Sequence, residues 1–318
     1  DDLVTGVQTC ALPILANIPT FFVDLHTFSS ERAGTMFRPL LLCSYALNYA
    51  LHGEWVGGYR LFNLVLHVSC AFLAWRMVWG GKRGMAYVVG GMFLLHPLAA
   101  EPVNYISSRS DMLSAFFVLL ALQCIPAGAG ARSWKVLAPY LCGLLVKSVA
   151  IVLPALGVLG LRGDWRRRAQ RYGSALAGMG ALALVYIGVI VANRFLASSL
   201  AKAPRAFDVN AWTQIKAWVY ALWLVVAPVH LSVDHLFAEA RGLGDGAVLW
   251  AGGLLLSLFV VAAYNYRQWL GMGLLWRFIA LSPYAFIPLN VMVSERRVYM
   301  AGVGLMLVAG WALWDLLQ

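Results

Sequence analysis

Charge is what this chain of 318 residues has least of. Only 12% of it is Asp, Glu, Lys or Arg, with 14 acids against 24 bases. A soluble domain carries about 25% charged residues, so a water-exposed globule is excluded. Cysteine is sparse too: five residues, none in CxxC spacing and none with a histidine at metal-ligand spacing. Neither a disulfide framework nor a zinc site is indicated. Cys70 and Cys142 lie within apolar runs and read as small buried residues. The strict polar–apolar alternation of a membrane β-barrel is missing, as are internal repeats and low-complexity segments.

What is present is apolar sequence in blocks. The chain is 61% hydrophobic with a mean hydropathy of +0.74. Most blocks approach the roughly 20 residues that cross a bilayer core as helix. The fold class is all-α, a polytopic helical membrane protein. Leu40–Leu51 is too short to span and reads as an interfacial or re-entrant helix. Full or near-full spans are expected at Leu61–Trp79, Met85–Leu95, Met112–Ile125 and Ala175–Phe195. Further segments are Ile215–Val229, Ala247–Ala263, Leu270–Leu289 and Val298–Trp314. Val136–Leu161, interrupted by Lys147 and Pro154, reads as two short helices meeting near Lys147. Ser198–Asn210 is a polar stretch. The total is nine or ten hydrophobic segments in one membrane domain.

Residues 4–14, from Val4 to Ile14, spell the translation of a common short-read sequencing adapter. Asp1 to Ile14 are therefore read as non-native, and Asp1-Asp2 is not used as a catalytic pair. Residues 15–318 are expected to be a single domain that enters near Leu15 in mid-loop, with the first helix missing and the C-terminus cut short, as in a metagenomic fragment.

Net charge is +10 and pI about 9.6. The positive charge concentrates in short loops, above all Arg162, Arg166, Arg167, Arg168 and Arg171, with Lys82-Arg83 and Arg132/Lys135 in two others. Such loops are cytoplasmic, so the basic balance sets orientation, and nucleic acid is not expected as a partner. If every segment crosses once, the loops at Asp234-His235 and Glu295-Arg296 fall inside. If Ile215–Val229 is interfacial, both return to the outer face. The second arrangement is preferred, because it puts most acids opposite the Arg-rich loops.

The segment His96–Asp111 is polar, marked by Pro97 and Pro102, and clamped between two apolar runs. It reads either as a solvated loop or as a site. Ionisable groups at a membrane edge are costly, and His96, Glu101, Arg109 and Asp111 fall within one short connection, which favours the site. Lys147, Asp208, Asp234, His235, Glu295, Arg296 and Arg297 share its outer face on the preferred topology. Arg and Lys there suit a lipid phosphate, and carboxylates could orient them or act as a general base. Lys147 could equally snorkel, and Glu295-Arg296-Arg297 could be an ordinary basic flank. Asn63 and His67, one turn apart in a span, read as a helix-packing pair.

Several segments taken together resemble the transmembrane O-mannosyltransferases with C-terminal tetratricopeptide repeats, within the C-type glycosyltransferase fold. They are Phe37-Arg38-Pro39-Leu40 with Ser44-Tyr45-Ala46-Leu47, and Tyr59 to Asn63 and His67. The most specific is His96-Pro97 through Glu101 to Arg109 and Asp111. Lys147 with Pro154, Pro228 with Leu231 to Asp234, and Glu295-Arg296 with Tyr299 follow in the family's order. The likeness runs from about Leu15 to Trp314. It implies a C-type glycosyltransferase-like bundle with interfacial helices in its first outer loop. It also implies transfer of a sugar, typically mannose, from a polyprenyl-phosphate donor to a protein Ser/Thr hydroxyl. By resemblance Arg296, Lys147 and Arg109 hold the phosphate or brace the site, while Glu101, Asp111 and Glu295 orient them or line the acceptor groove. His96 and Asp234 complete the implied substrate-binding set. The family's catalytic acidic pair falls upstream of Leu15, so the fragment is expected to be inactive.

The implied partners are the lipid-linked donor, a protein acceptor and membrane lipids. No cofactor beyond the donor is implied, and a divalent metal stays open. The expected location is a bacterial inner membrane, with the site facing the periplasm or exterior. Ser148, Ala99 and Arg60 depart from the family pattern. Two other readings are a ligase moving a lipid-linked glycan and a transporter with a charged pathway. Ionisable groups at span ends disfavour the transporter, which more often carries repeats and midplane polar helices.

Overall fold

The computed structural model describes residues 14–24, 27–28, 36–125, 133–160, 165–201, 203–233, 235, 237–286 and 291–317. Residues 1–13, which hold nearly all of the adapter-like string, lie outside them, as do His26, Glu31, Arg32, Asp164, Lys202 and Asp234. Among the described residues every regular element is helical. The α-helices begin with α1 (Ile18–Val23), α2 (Pro39–His52), α3 (Val56–Trp79), α4 (Arg83–Leu95) and α5 (Ala100–Asn104). Next come α6 (Arg109–Cys124), α7 (Trp134–Val146), α8 (Leu153–Gly160), α9 (Trp165–Ala192) and α10 (Phe195–Ala201). The last four are α11 (Phe207–Val226), α12 (Gly246–Tyr264), α13 (Trp269–Phe286) and α14 (Glu295–Leu316).

Among the described residues four helices are long and apolar enough to cross a membrane: α3, Tyr172–Ala192 of α9, α12 and α14. A fifth is reached if α4 and Pro97–Asn104, bent by 49°, form one broken span. This is fewer than the nine or ten hydrophobic segments read from the sequence. The physical reason is length and interruption. Helices α6, α7 and α8 have 16, 13 and 8 residues, short of a full crossing. Polar residues interrupt α11 (Gln214, Lys216) and α13 (Arg277). The apolar window of α9 is only 6% buried by protein, and Leu184, Val185 and Val191 face outward. An apolar surface of that extent suits lipid, not water. The chain is an integral membrane protein.

Two expectations change in detail. The segment after His96 is not an open loop but a run of short helical turns: 3-10 helices Pro97–Ala99 and Ile106–Ser108 flanking α5. Pro97 and Pro102 sit in first turns, where a missing N–H costs nothing. Within the polar stretch after Ser198, α11 already starts at Phe207, because its polar residues are used internally. Asn210 donates to the Ala285 carbonyl at 3.1 Å, and the Thr213 hydroxyl accepts from the Ala240 N–H at 2.9 Å.

The chain divides into two compact units. The first takes the described residues of Asp1–Cys70, Pro102–Pro154 and Arg171–Ala201. Within it α6 packs on α7 and on the 3-10 turn Ser148–Val152, and α2 lies against α1, α6 and α7. As read from the sequence, α7 ends at Lys147, which is extended (φ −159°, ψ 136°). Pro154, in the first turn of α8, then restarts the helix.

The second unit takes Ala71–Glu101, Ala155–Gln170 and the described residues of Lys202–Gln318. Helix α14 is its hub, packed on α13, α4 and α11. Gly273 of α13 and Gly304 of α14 face each other so closely that a Cβ on either would collide with the other's carbonyl oxygen. Small residues at such a crossing let two backbones meet, which is how membrane helices gain packing without a hydrophobic drive between them. On the opposite flank, Gly310 of α14 admits Val89 of α4, and Gly84 admits Trp314.

Candidate functional site

In the first unit the organising group is Arg109, with no exposed surface. Its Nε donates to Asn63 Oδ1 at 2.9 Å, Nη1 to the Ser44 carbonyl at 3.1 Å and Nη2 to the Tyr59 carbonyl at 3.3 Å. The guanidinium also lies 4.4 Å from the ring centre of Phe62 and 4.6 Å from that of Tyr45, an attractive cation–π arrangement. Asn63 in turn donates to the Val103 carbonyl at 3.3 Å, and the Tyr45 hydroxyl to the Ile106 carbonyl at 3.1 Å. Arg109 therefore ties α2, α3 and the start of α6 together. Of the two roles its resemblance implies, this geometry is that of bracing. Asn63 has Arg109 and the Val103 carbonyl as its partners.

Two residues further along, Asp111 accepts from Lys147 Nζ at 2.6 Å, with both side chains largely buried. The break between α7 and α8 places Lys147 there: an extended residue between two helices projects its side chain without a helical neighbour. The 36 positions between Asp111 and Lys147 show that this sequence-selected pair is joined by tertiary structure.

In the second unit Glu101 meets the start of α14. Glu101 Oε2 accepts from the Arg296 backbone N–H at 3.0 Å, and Oε1 receives Arg296 Nη1 and the Ser294 hydroxyl, each at 3.4 Å. Ser294 is the N-cap residue of α14 but makes no cap bond of its own; Glu101 supplies the acceptor instead. The carboxylate also sits at the positive end of the helix dipole.

Beside it, Glu295 is 2% exposed. Its Oε1 accepts from the Ser232 N–H at 2.6 Å and lies 3.4 Å from His235 Nε2. His235 Nδ1 is 3.1 Å from the Tyr220 hydroxyl. His96 stands apart from these pairs. Its Nδ1 accepts from the Leu98 N–H at 3.2 Å, which leaves the proton on Nε2, 2.9 Å from the Val225 carbonyl. It is the N-cap of the 3-10 turn Pro97–Ala99.

Of the residues selected from the sequence, Asp111 and Lys147 are brought together in one unit, and Glu101, Arg296 and Glu295 in the other. Asp234 lies outside the described residues. Ser294 and Tyr220 carry no reading in the sequence, while Ser232 lies in the Leu231–Asp234 motif. Tyr220 gives no sequence signal inside an apolar helix, while Ser294 is adjacent to Glu295 and could have been read as its cap. Among the described residues no three His, Cys, Asp or Glu side chains are grouped to hold a metal ion.

These features define an all-helical integral membrane protein with buried ion pairs held at helix ends. Comparison with known proteins narrows the class: the chain is similar to protein O-mannosyl-transferases. It is 26% identical over 309 residues to the protein O-mannosyl-transferase Tmtc1 of Drosophila melanogaster, covering 86% of this chain and 35% of that protein. To F38B6.6 of Caenorhabditis elegans, of the same name, it is 25% identical over 231 residues, 66% of this chain and 31% of the other. To TMTC2 of Homo sapiens it is 31% identical over 125 residues, 34% of this chain and 15% of the human protein. The chain thus spans about a third or less of the length of these curated relatives. No family model and no solved structure matches it.

Proposed function

We propose that this chain is the membrane part of a glycosyltransferase that moves a sugar, mannose by its likeness, from a polyprenyl-phosphate donor to a protein Ser/Thr hydroxyl on the extracytoplasmic face. The observation that carries the reading is the pairing of Glu101 with Arg296 across 195 positions. Both fall in the segments that resemble the family, and the likeness to named O-mannosyl-transferases runs through both halves of the chain.

The chemistry is a displacement at the anomeric carbon. The acceptor oxygen forms a bond to that carbon as the bond to the donor phosphate breaks, and polyprenyl phosphate leaves with the electron pair. The hydroxyl proton passes to a carboxylate base. Arg296, only partly covered (side chain 22% exposed), offers a forked cation for the leaving phosphate, and Glu101 holds that fork at the start of α14.

The test uses the whole glycosyltransferase of which this chain would be the membrane part, in lipid nanodiscs with labelled mannosyl polyprenyl phosphate. Arg296→Ala should lower release of polyprenyl phosphate by about 100-fold or more, the scale of losing a donor aimed at transition-state charge. Turnover like wild type in Arg296→Ala overturns the assignment, and use of a nucleotide sugar in place of the lipid-linked donor overturns the donor class. An impermeant thiol reagent should reach cysteines introduced beside Glu101, Lys147 and Glu295 from the outer face.

A further inference from the structure

In the second unit the last turns of α3 meet α4 at the turn Gly80-Gly81-Lys82, and Arg76, Lys82 and Arg83 gather there. Among the described residues no carboxylate pairs with any of the three. Arg205, Lys216 and Arg296 of the same unit each have one. Asp315, next to the Trp314 that Gly84 admits, is exposed and forms no ion pair with them. On α3, Phe72, Trp75, Arg76 and Trp79 are spaced i, i+3, i+4 and i+7, so they share one helix face. The ring centres of Trp75 and Trp79 lie 4.5 Å apart, and Tyr87 of α4 closes on them at 6.0 and 5.6 Å. Gly90 of α4 makes the room, because a Cβ there would strike Trp75. Phe72 stacks on Trp75 at 5.4 Å. The Arg83 guanidinium lies 5.1 Å from the ring centre of Trp79, a cation–π contact that fixes the cation beside the rings. Phe72 and Tyr87 are 53% and 62% exposed.

We propose that this hairpin binds an anionic phospholipid, with its phosphate at Lys82 and Arg83 and an acyl chain along Tyr87 and Phe72. Charge decides the headgroup. Three cations within eight positions, none neutralised by the protein, attract an anion at a membrane surface. The rings decide the rest. Trp and Tyr at a membrane edge present a polar tip to the headgroups and an apolar body to the chains. Here the exposed rings run from the cations into the apolar stretch of α3, so they match a ligand that joins a phosphate to hydrocarbon. A free anion would leave Phe72 and Tyr87 uncovered. The hairpin lies at the start of α4, about 18 Å along that helix from the end that leads to Glu101 and Arg296. The inference therefore stands independently of the glycosyltransferase reading, because it draws on no residue assigned to the sugar donor.

The test follows thermal unfolding of the full chain in neutral detergent micelles, titrated with phosphatidylglycerol or with phosphatidylcholine of the same acyl chains. Phosphatidylglycerol should raise the midpoint saturably, with an apparent Kd at least tenfold tighter than phosphatidylcholine. The exposed pair Lys82→Gln with Arg83→Gln should leave the lipid-free midpoint unchanged and weaken phosphatidylglycerol by about twentyfold, near fivefold for each cation lost. A control pair, Lys135→Gln with Arg241→Gln, removes two exposed cations elsewhere and should bind as wild type does. Glycerol phosphate carries the charge without the chains and should bind at least about a hundredfold more weakly than the lipid. Equal affinity for the two lipids overturns the proposal. So does a control pair that loses as much as the hairpin pair, which would make the attraction a diffuse property of net charge. Glycerol phosphate binding as tightly as phosphatidylglycerol would replace the lipid by a free anion and overturn it too.

Discussion

Glu101 offers the sharpest test of how the second cluster works. Its carboxylate caps α14 from another element, so its effect should run through Arg296 and not through proton transfer. Truncation by Glu101→Ala removes an N-cap acceptor, worth about 1–2 kcal/mol. It also removes a long charge-assisted bond to the guanidinium, worth about 1–2 kcal/mol. Where that lost support is felt as poorer alignment of the Arg296 fork in the transition state, turnover should fall by up to about 100-fold, at about 1.4 kcal/mol per factor of ten. Glu101→Gln keeps a carbonyl oxygen for the Arg296 N–H and loses only the charge, so it should fall by roughly fivefold to tenfold. The assay is release of polyprenyl phosphate, with kcat and KM separated. Gln and Ala variants that are equally inactive, with unchanged KM, would show that the carboxylate itself takes a proton, and the capping argument would fail.

Two further outcomes follow from packing. Gly304→Ala forces a methyl into the Gly273 backbone, and overpacking of this kind costs about 1–3 kcal/mol; thermal unfolding in nanodiscs should show a clear drop, while Gly302→Ala, whose added methyl would meet no atom within 4 Å, should not. Lys147→Met strands the buried Asp111 carboxylate and should destabilise by about 3–5 kcal/mol, whereas the double change Lys147→Met with Asp111→Leu should recover most of the loss. Equal midpoints for the single and double variants would mean the 2.6 Å pair carries no coupling.

Those elements also show what the residues alone could and could not convey. The break at Lys147 was legible because a charge and Pro154 interrupt an apolar run, and both act locally. Glu101, Asp111, Lys147, Glu295 and Arg296 stand out as candidates because an ionisable side chain in so apolar a chain needs a partner. Which partner it takes is not legible. The bonds from Glu101 to Arg296 and from Lys147 to Asp111 close over 195 and 36 positions, and no local pattern encodes them. Length separates the nine or ten hydrophobic segments from the four or five candidate spans, because helices such as α7 and α8 are apolar but shorter than a crossing needs.

The glycine seat between α13 and α14 has a mechanical side. Gly304 lies nine residues along α14 from Glu295, about 13 Å at the rise of an α-helix. If that crossing is the fulcrum, a tilt of about 5° there swings the helix tip by roughly 1 Å, a displacement that can cost about 100-fold in rate. The close approach of two glycines thus works as a bearing with very little play, and it holds a distant guanidinium on target without touching it.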